Sequence, residues 1–405
     1  MKKITKIILI VVVIIFIALA LLFFWRQSKC GDNICQKWEQ KNETCANDCK
    51  NIPNGPASDY KIKSITTIAE KGGRVDWSPT NDYIAYDSKG DDKFYDIWTM
   101  NPDGSNKKCL TCEKAGIPQK MNGNPTIHSS GNYIVFQAED PNLSVPFLEK
   151  WATHPGGGIN NNLWVTNRDG SQFWQLTHVT NRLGVLHPHF SPDGTKLLWS
   201  ERIALSKSFT NDFWGQWSIK IADFNIINGE PKISNIQEIQ PGNMGLYEVN
   251  GFSKDNSEIF FSASKRYEAS QSFDEFSYNL KTQKLTNFTN SPKEWDEFAM
   301  LTPNQKKIIL MSSMGINQIR NAKGVIEGNK LKSDFWIMDA DGKNLARLTH
   351  FNEPGYSEYN PAGTNPADYS WSPDGSRMAV KTRVMPGNFD DNEKIIVIEF
   401  EKHQD

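Results

Sequence analysis

The chain repeats itself. The segment "PHFSPDGTKLLWSE" from Pro188 has five counterparts: "VDWSPTNDYIAYDS" from Val75, "TIHSSGNYIVFQAE" from Thr126, "NGFSKDNSEIFFSA" from Asn250, "AMLTPNQKKIILMS" from Ala299 and "YSWSPDGSRMAVKT" from Tyr369. Each copy is an extended run, a Pro/Gly/Asn turn and an apolar run, which is the pattern of a hairpin. A second element follows the copies, seen in "DIWTMNPDGSNKKCLT", "NLWVTNRDGSQFWQLT" and "DFWIMDADGKNLARLT". A unit is therefore two strands, a variable connection and two more strands. The Ser or Thr of each turn falls at 78, 129, 191, 253, 302 and 372, at spacings of 51, 62, 62, 49 and 70 residues.

Four short strands repeated at this period define a β-propeller, in which each sheet buries its faces against its two neighbours. The expected fold is all-β: six blades, each a four-stranded antiparallel sheet. The residues before the turns fit packing between blades, being Trp77, His128, Phe190, Phe252, Leu301 and Trp371. The sixth unit has only three strands. The missing one stands at the other end of the domain, in "KIKSITTIAE" from Lys61 to Glu70. The N-terminal strand is expected to close the ring as the outer strand of the last blade.

The paired "SPDG" and "W-x-M-N-x-D-G…L-T" elements resemble the repeats of TolB-type six-bladed propellers. Similar repeats occur in the propeller domains of prolyl oligopeptidases and dipeptidyl peptidases. The resemblance covers residues 60 to 401. A prolyl oligopeptidase would also need a hydrolase domain with a G-x-S-x-G elbow, and the sequence has none. The glycines of "THPGGGINNN" lack the following helix and lysine of a phosphate-binding loop. The reading leans away from an enzyme.

The ends are organised differently. Ile7 to Trp25 is 19 residues without a charge, preceded by Lys2, Lys3 and Lys6. That is about the length needed to cross the roughly 30 Å hydrocarbon core of a bilayer. Ala18-Leu19-Ala20 resembles a signal-peptidase site, but the apolar run continues past it, which favours an uncleaved anchor. Residues 1–29 are thus read as a cytoplasmic tail and transmembrane signal anchor, 30–50 as a disulfide-rich module, 51–59 as a linker and 60–405 as the propeller. This places the propeller on the extracytoplasmic side of a cell membrane.

In the module, Cys30, Cys35, Cys45 and Cys49 fall within 20 residues. They read as two disulfides with three pairings open, and a zinc site is the rival. Asp32, Glu39 and Asp48 between them are candidate Ca²⁺ ligands. The stretch resembles the short "CGDGxC…GE…C…DC" modules of microbial surface proteins, but has Asn33 where that pattern has Gly. Cys109 and Cys112 need a turn at Leu110-Thr111 to bond. No βαβ pattern surrounds them to support a redox C-x-x-C. Net charge is −2, with no basic run after the apolar segment, so nucleic acid is not expected as a partner.

In a propeller the tight turns share one face, and the longer connections share the other. The insertions near 139–161, 202–216, 264–272, 313–333, 351–366 and 383–392 all fall on that loop-rich rim. Loops on a rigid scaffold are where binding usually resides. The candidate anchors are Trp151, Phe213, Trp214, Trp217 and Tyr356. Inner-strand residues expected to face the central channel, as a solvated lining, are Arg74, Asp76, His187, His189, Glu248, Asp296, Glu297, Asp368 and Ser370. His187 and His189, at i and i+2, are candidate ligands for a divalent metal. The leading expectation is a membrane-anchored scaffold binding a protein or cell-envelope component. The alternative is a metal-dependent lyase or hydrolase acting on a surface polysaccharide.

Overall fold

The computed structural model describes residues 60–205, 213–264, 272–321, 326, 330–385 and 392–401. The expected membrane helix, cysteine module and linker lie outside these residues. Among the described residues, no helix is long and apolar enough to cross a membrane.

The described chain forms six four-stranded antiparallel sheets in sequence order. After β1 (Ile62–Ala69), blade 1 comprises β2 (Val75–Trp77), β3 (Ile84–Lys89), β4 (Tyr95–Met100) and β5 (Lys108–Cys109). Blade 2 comprises β6 (Asn122–Ile127), β7 (Tyr133–Glu139), β8 (Asn161–Asn167) and β9 (Phe173–Gln175). Blade 3 comprises β10 (Gly184–Phe190), β11 (Lys196–Ala204), β12 (Gln216–Ile227) and β13 (Glu230–Ile239). Blade 4 comprises β14 (Leu246–Phe252), β15 (Glu258–Ser264), β16 (Asp274–Asn279) and β17 (Leu285–Asn287). Blade 5 comprises β18 (Asp296–Leu301), β19 (Lys307–Ser312), β20 (Asp334–Asp339) and β21 (Ala346–Arg347). Blade 6 comprises β22 (Thr364–Trp371), β23 (Arg377–Val384) and β24 (Glu393–Phe400), and β1 completes it.

The ring closes as the repeat count requires. β1 runs antiparallel to β24 from Ile62 opposite Phe400 to Ala69 opposite Ile395. Tyr60 is buried at this seam, its ring edge-on to Trp371 and Phe400. Antiparallel pairing also fixes where the chain enters. Phe400 lies at the tight-turn end of blade 6, its N–H donating to Ser376 O at 2.9 Å. Tyr60 and Ile62 therefore lie on the tight-turn face, opposite the loop-rich rim.

The S-P-D-G turn is built from its own side chains. Ser191 Oγ donates to Asp193 Oδ1 (2.6 Å) and accepts the N–H of Lys196 (2.9 Å). Gly194 has φ 76°, and a Cβ there would come within 2.5 Å of His128 Nε2 in the neighbouring blade. Positive φ and close approach together require glycine. The residues before the turns pack between blades as expected. His128, for example, lies edge-on to Phe190 and tilted over Phe224.

Polar side chains in the second strands join neighbouring blades. Asp87 Oδ2 accepts the N–H of Asn124 (3.0 Å), and Gln137 Oε1 that of His187 (3.4 Å). Ser200 Oγ accepts from Val249 (3.3 Å), and Ser262 Oγ from Phe298 (3.2 Å). Each donor lies in the inner strand of the following blade, where a β-bulge interrupts the ladder. A bulge leaves a backbone group unpaired, and a buried unpaired N–H is costly. The side chain of the preceding blade satisfies it.

Candidate functional site

The expected channel lining is partly buried and partly accessible: Asp76, His189, Glu248, Asp368 and Ser370 are half-buried. Arg74, His187 and Glu297 are buried, as are Asp87, Glu275, Lys381 and Glu393 around them. Among the described residues, a cavity of about 50 Å³ is walled by Arg74, Asn124, His187, His189, Asn250 and Asp368, among others. That is room for one or two waters. Two salt bridges of Lys381, to Asp368 at 3.5 Å and Glu393 at 3.0 Å, cross the wall. Burial lowers the imidazoles, His187 to about 3 and His189 to about 4. Burial raises Glu297 to about 8 and Asp296 to about 7, and it also raises Glu248, where Glu297 adds to the shift. With His187 lowered to about 3, its imidazole is neutral, and the 3.8 Å approach to Glu248 is not an ion pair.

Several expected channel residues hold blades together. Asp76 Oδ1 accepts from Ser370 Oγ at 2.7 Å, and its Oδ2 accepts the N–H of Ile127 at 2.6 Å. One carboxylate thus ties blade 1 to blades 6 and 2. Asp296 is fully buried and takes a hydrogen bond from Ser291 Oγ. His187 sits on the β-bulge of its strand with φ 50°. Among the described residues, one group of three or more His, Cys, Asp and Glu brings its ligand atoms within 4.8 Å of one another. It is Asp96, Cys109 and Cys112, and it does not include His187 or His189.

The rim end of the channel is plugged by the glycine-rich segment. Pro155 O accepts from Asn124 Nδ2 and from Gln137 Nε2, both at 2.8 Å. Gly156 lies so close to Arg74 that a Cβ would stand 2.5 Å from Nη2. "HPGGG" is therefore a close-packed plug, which explains its glycines without a phosphate.

The same insertion builds the outer surface. Phe147–Thr153 is a 3₁₀ helix. Its Glu149 is fully buried and meets Arg182 in a bidentate pair. The helix presents Phe147 at 89%, Leu148 at 66% and Trp151 at 49% exposure. Trp151 stacks on Phe213 with centroids 4.9 Å apart and meets Trp214 edge-on at 5.4 Å. The blade 2 and blade 3 insertions thus join in one aromatic platform on the rim. Three expected anchors, Trp151, Phe213 and Trp214, come together there. The two most exposed residues, Phe147 and Leu148, were not singled out from the sequence, because nothing in it marks them as outward-facing.

Two expected anchors lie elsewhere. Trp217 is the second residue of β12, is fully buried, and donates its Nε1–H to Trp214 O at 2.8 Å. It belongs to the core because the strand begins before it, at Gln216. Tyr356 is half exposed, but its ring stacks on His350 at 3.6 Å in a connection between blades 5 and 6. A groove of about 590 Å³ lies between the outer turns of blades 1 and 2. Its Asn101 and Asn167 are engaged within their own turns, to Ser105 and Ser171.

Fold and surface together define a six-bladed β-propeller that carries an aromatic platform on its loop-rich rim. Its shape is like that of a TolB structure from Agrobacterium tumefaciens, with a TM-score of 0.50 at 16% identity, covering 82% of this chain and 91% of that one. TolB from Acinetobacter baumannii follows at 0.46 and 12%, covering 90% and 69%. An oligogalacturonate lyase from Vibrio parahaemolyticus gives 0.44 and 11%, covering 80% and 75%. At such identities the likeness concerns the fold alone. No family model and no curated protein matches the sequence.

Proposed function

We propose that this protein is a binding scaffold, tethered to a membrane by residues 7–25, that captures a partner protein on the aromatic platform of its rim. The observation that carries the reading is the exposure of Phe147, Leu148 and Trp151 on a helix whose buried Glu149 is clamped by Arg182. Protruding apolar side chains on a rigid support are the anchors expected of a binding hot spot. Little ordering entropy remains to be lost when a partner docks.

Tyr60, the first described residue, lies on the tight-turn face opposite the rim. Photo-crosslinking in native membranes tests the reading. A crosslinker at position 148 is expected to give a discrete protein adduct that Trp151→Ala abolishes. One at position 193, on the tight-turn face, is expected to give none. Lipid adducts from position 148, or equal protein adducts from both faces, would overturn it.

A further inference from the structure

The structure assigns a second activity to the outer edge of blade 1: we propose that Cys109 and Cys112 form an exchange-competent disulfide, reduced and reclosed in the folded protein by an external dithiol and its disulfide. The two residues are disulfide-bonded across the turn Leu110-Thr111, with Cα atoms 5.8 Å apart. Both are half-buried at the edge of the sheet, within reach of a second protein's thiol.

The bond is not what holds the segment in place. Cys109 pairs with Trp98 in the β4–β5 ladder, and the N–H of Leu110 donates to Ile97 O at 2.8 Å. Leu110 and Thr111 are fully buried, and Thr111 Oγ1 accepts from Ile97 N–H (3.0 Å) while donating to Asp96 Oδ1 (2.7 Å). None of these contacts is made by the S–S bond itself. A bridge spanning three residues also closes a very short loop, and short loops restrict the unfolded chain least.

The surroundings instead suit the chemistry of exchange. The N–H of Cys112 points at Cys109 Sγ, 3.0 Å away. A hydrogen bond from a backbone N–H favours the thiolate over the thiol, so Cys109 is the better leaving group. In the forward step an external thiolate attacks Cys112 Sγ. A new S–S bond forms there, and the Cys109–Cys112 bond breaks with its electron pair going to Cys109. The second thiolate of the same external dithiol then attacks its own sulfur in the mixed disulfide and releases Cys112. The external dithiol leaves as a disulfide, and its two protons end on the two cysteines.

Reclosure requires a cysteine thiol to lose its proton. Asp96 stands beside both sulfurs, its carboxylate within 4.8 Å of each, a span one water bridges. Burial raises its pKa, which suits it to accept and return a proton. Its role here is to hold that proton.

The test uses the full chain, treated with graded dithiothreitol, quenched, alkylated and mapped by peptide mass so that Cys109 and Cys112 are read apart from the other four cysteines. The expected result is reduction at a rate proportional to dithiothreitol concentration, with circular dichroism and melting retained. A rate that levels off independently of dithiothreitol, or reduction only in denaturant, would mean that opening requires unfolding and would overturn the proposal. Reclosure by oxidised glutathione is then compared in wild type and Asp96→Asn. A slowing of about tenfold at pH 6 that vanishes near pH 9, where a thiol ionises unaided, is expected. Equal rates at pH 6 would remove Asp96 from the step.

Discussion

Arg182 grips the buried carboxylate of Glu149 at both oxygens, 2.9 Å from Nε to Oε2 and 2.6 Å from Nη2 to Oε1. Glu149 lies at the centre of the 3₁₀ helix that carries the platform, and Arg182 leads into the inner strand of blade 3. Removing Arg182 leaves the buried Glu149 carboxylate without its partner, which costs about 1–3 kcal/mol. The damage should stay local, because the insertion lies outside the ladders. Arg182→Ala is expected to speed proteolysis between residues 140 and 160 and to weaken partner binding at least tenfold, while the melting of the blades moves little. Limited proteolysis and a melting scan on the same sample check this.

Phe147 and Trp217 provide a paired test of surface against core. Phe147→Ser removes a side chain 89% exposed. Melting should hold, while affinity drops by about 2 kcal/mol, near thirtyfold. Trp217→Ala empties a fully buried site and should lower stability by about 3–5 kcal/mol. Stability falls in the second variant and holds in the first, although loss of the Trp217 bond to Trp214 O also loosens one edge of the platform. A melting scan beside titration calorimetry on the folded fraction separates the two.

Ring closure makes the first strand matter to the whole domain. A truncation starting at Lys71 loses the buried Tyr60 and exposes the edge of β24. Melting of the entire propeller should fall cooperatively, with blade 6 open to proteases. Melting equal to that of the untruncated domain would show that the ring is held by inter-blade contacts such as Asp76 to Ser370.

The buried acids set a pH dependence of opposite sign to the usual one. Burial raises Asp76 and Asp87 to about 6, Asp296 to about 7 and Glu297 to about 8. A carboxyl raised in the folded state gives stability that is fully present below about pH 4 and lost as pH rises through the folded value. The histidines act oppositely: His187 and His189, lowered to about 3 and 4, cost stability only as pH falls below about 6.5. Above about pH 7 the carboxyls alone change, and from pH 6 to 7 the four raised carboxyls outweigh the two histidines, so the melting temperature should fall from pH 6 to 8. Calorimetry in matched buffers tests this, and Glu297→Gln should flatten the upper part of the slope. A melting temperature rising from pH 6 to 8 would contradict it.

Turn residues and apolar runs act over a few positions, so the repeat was legible in the chain: six blades, their order, and the outer place of Lys61 to Glu70. The second-strand acceptors were missed in the sequence, although Asp87, Gln137, Ser200 and Ser262 form one polar column in apolar runs once the repeats are aligned. The rest depends on long-range packing. No local signal says that the rings of Trp151 and Phe213 stack across 62 positions, or that Arg182 reaches back to Glu149. Alternation placed His187 and Glu297 on the channel side, but bulges re-aim those strands, and the convergence of six inner strands closes the space around them. Burial is a property of everything that surrounds a residue. Whether an aromatic becomes core, as Trp217, or surface, as Trp151, was therefore decided only when the blades came together.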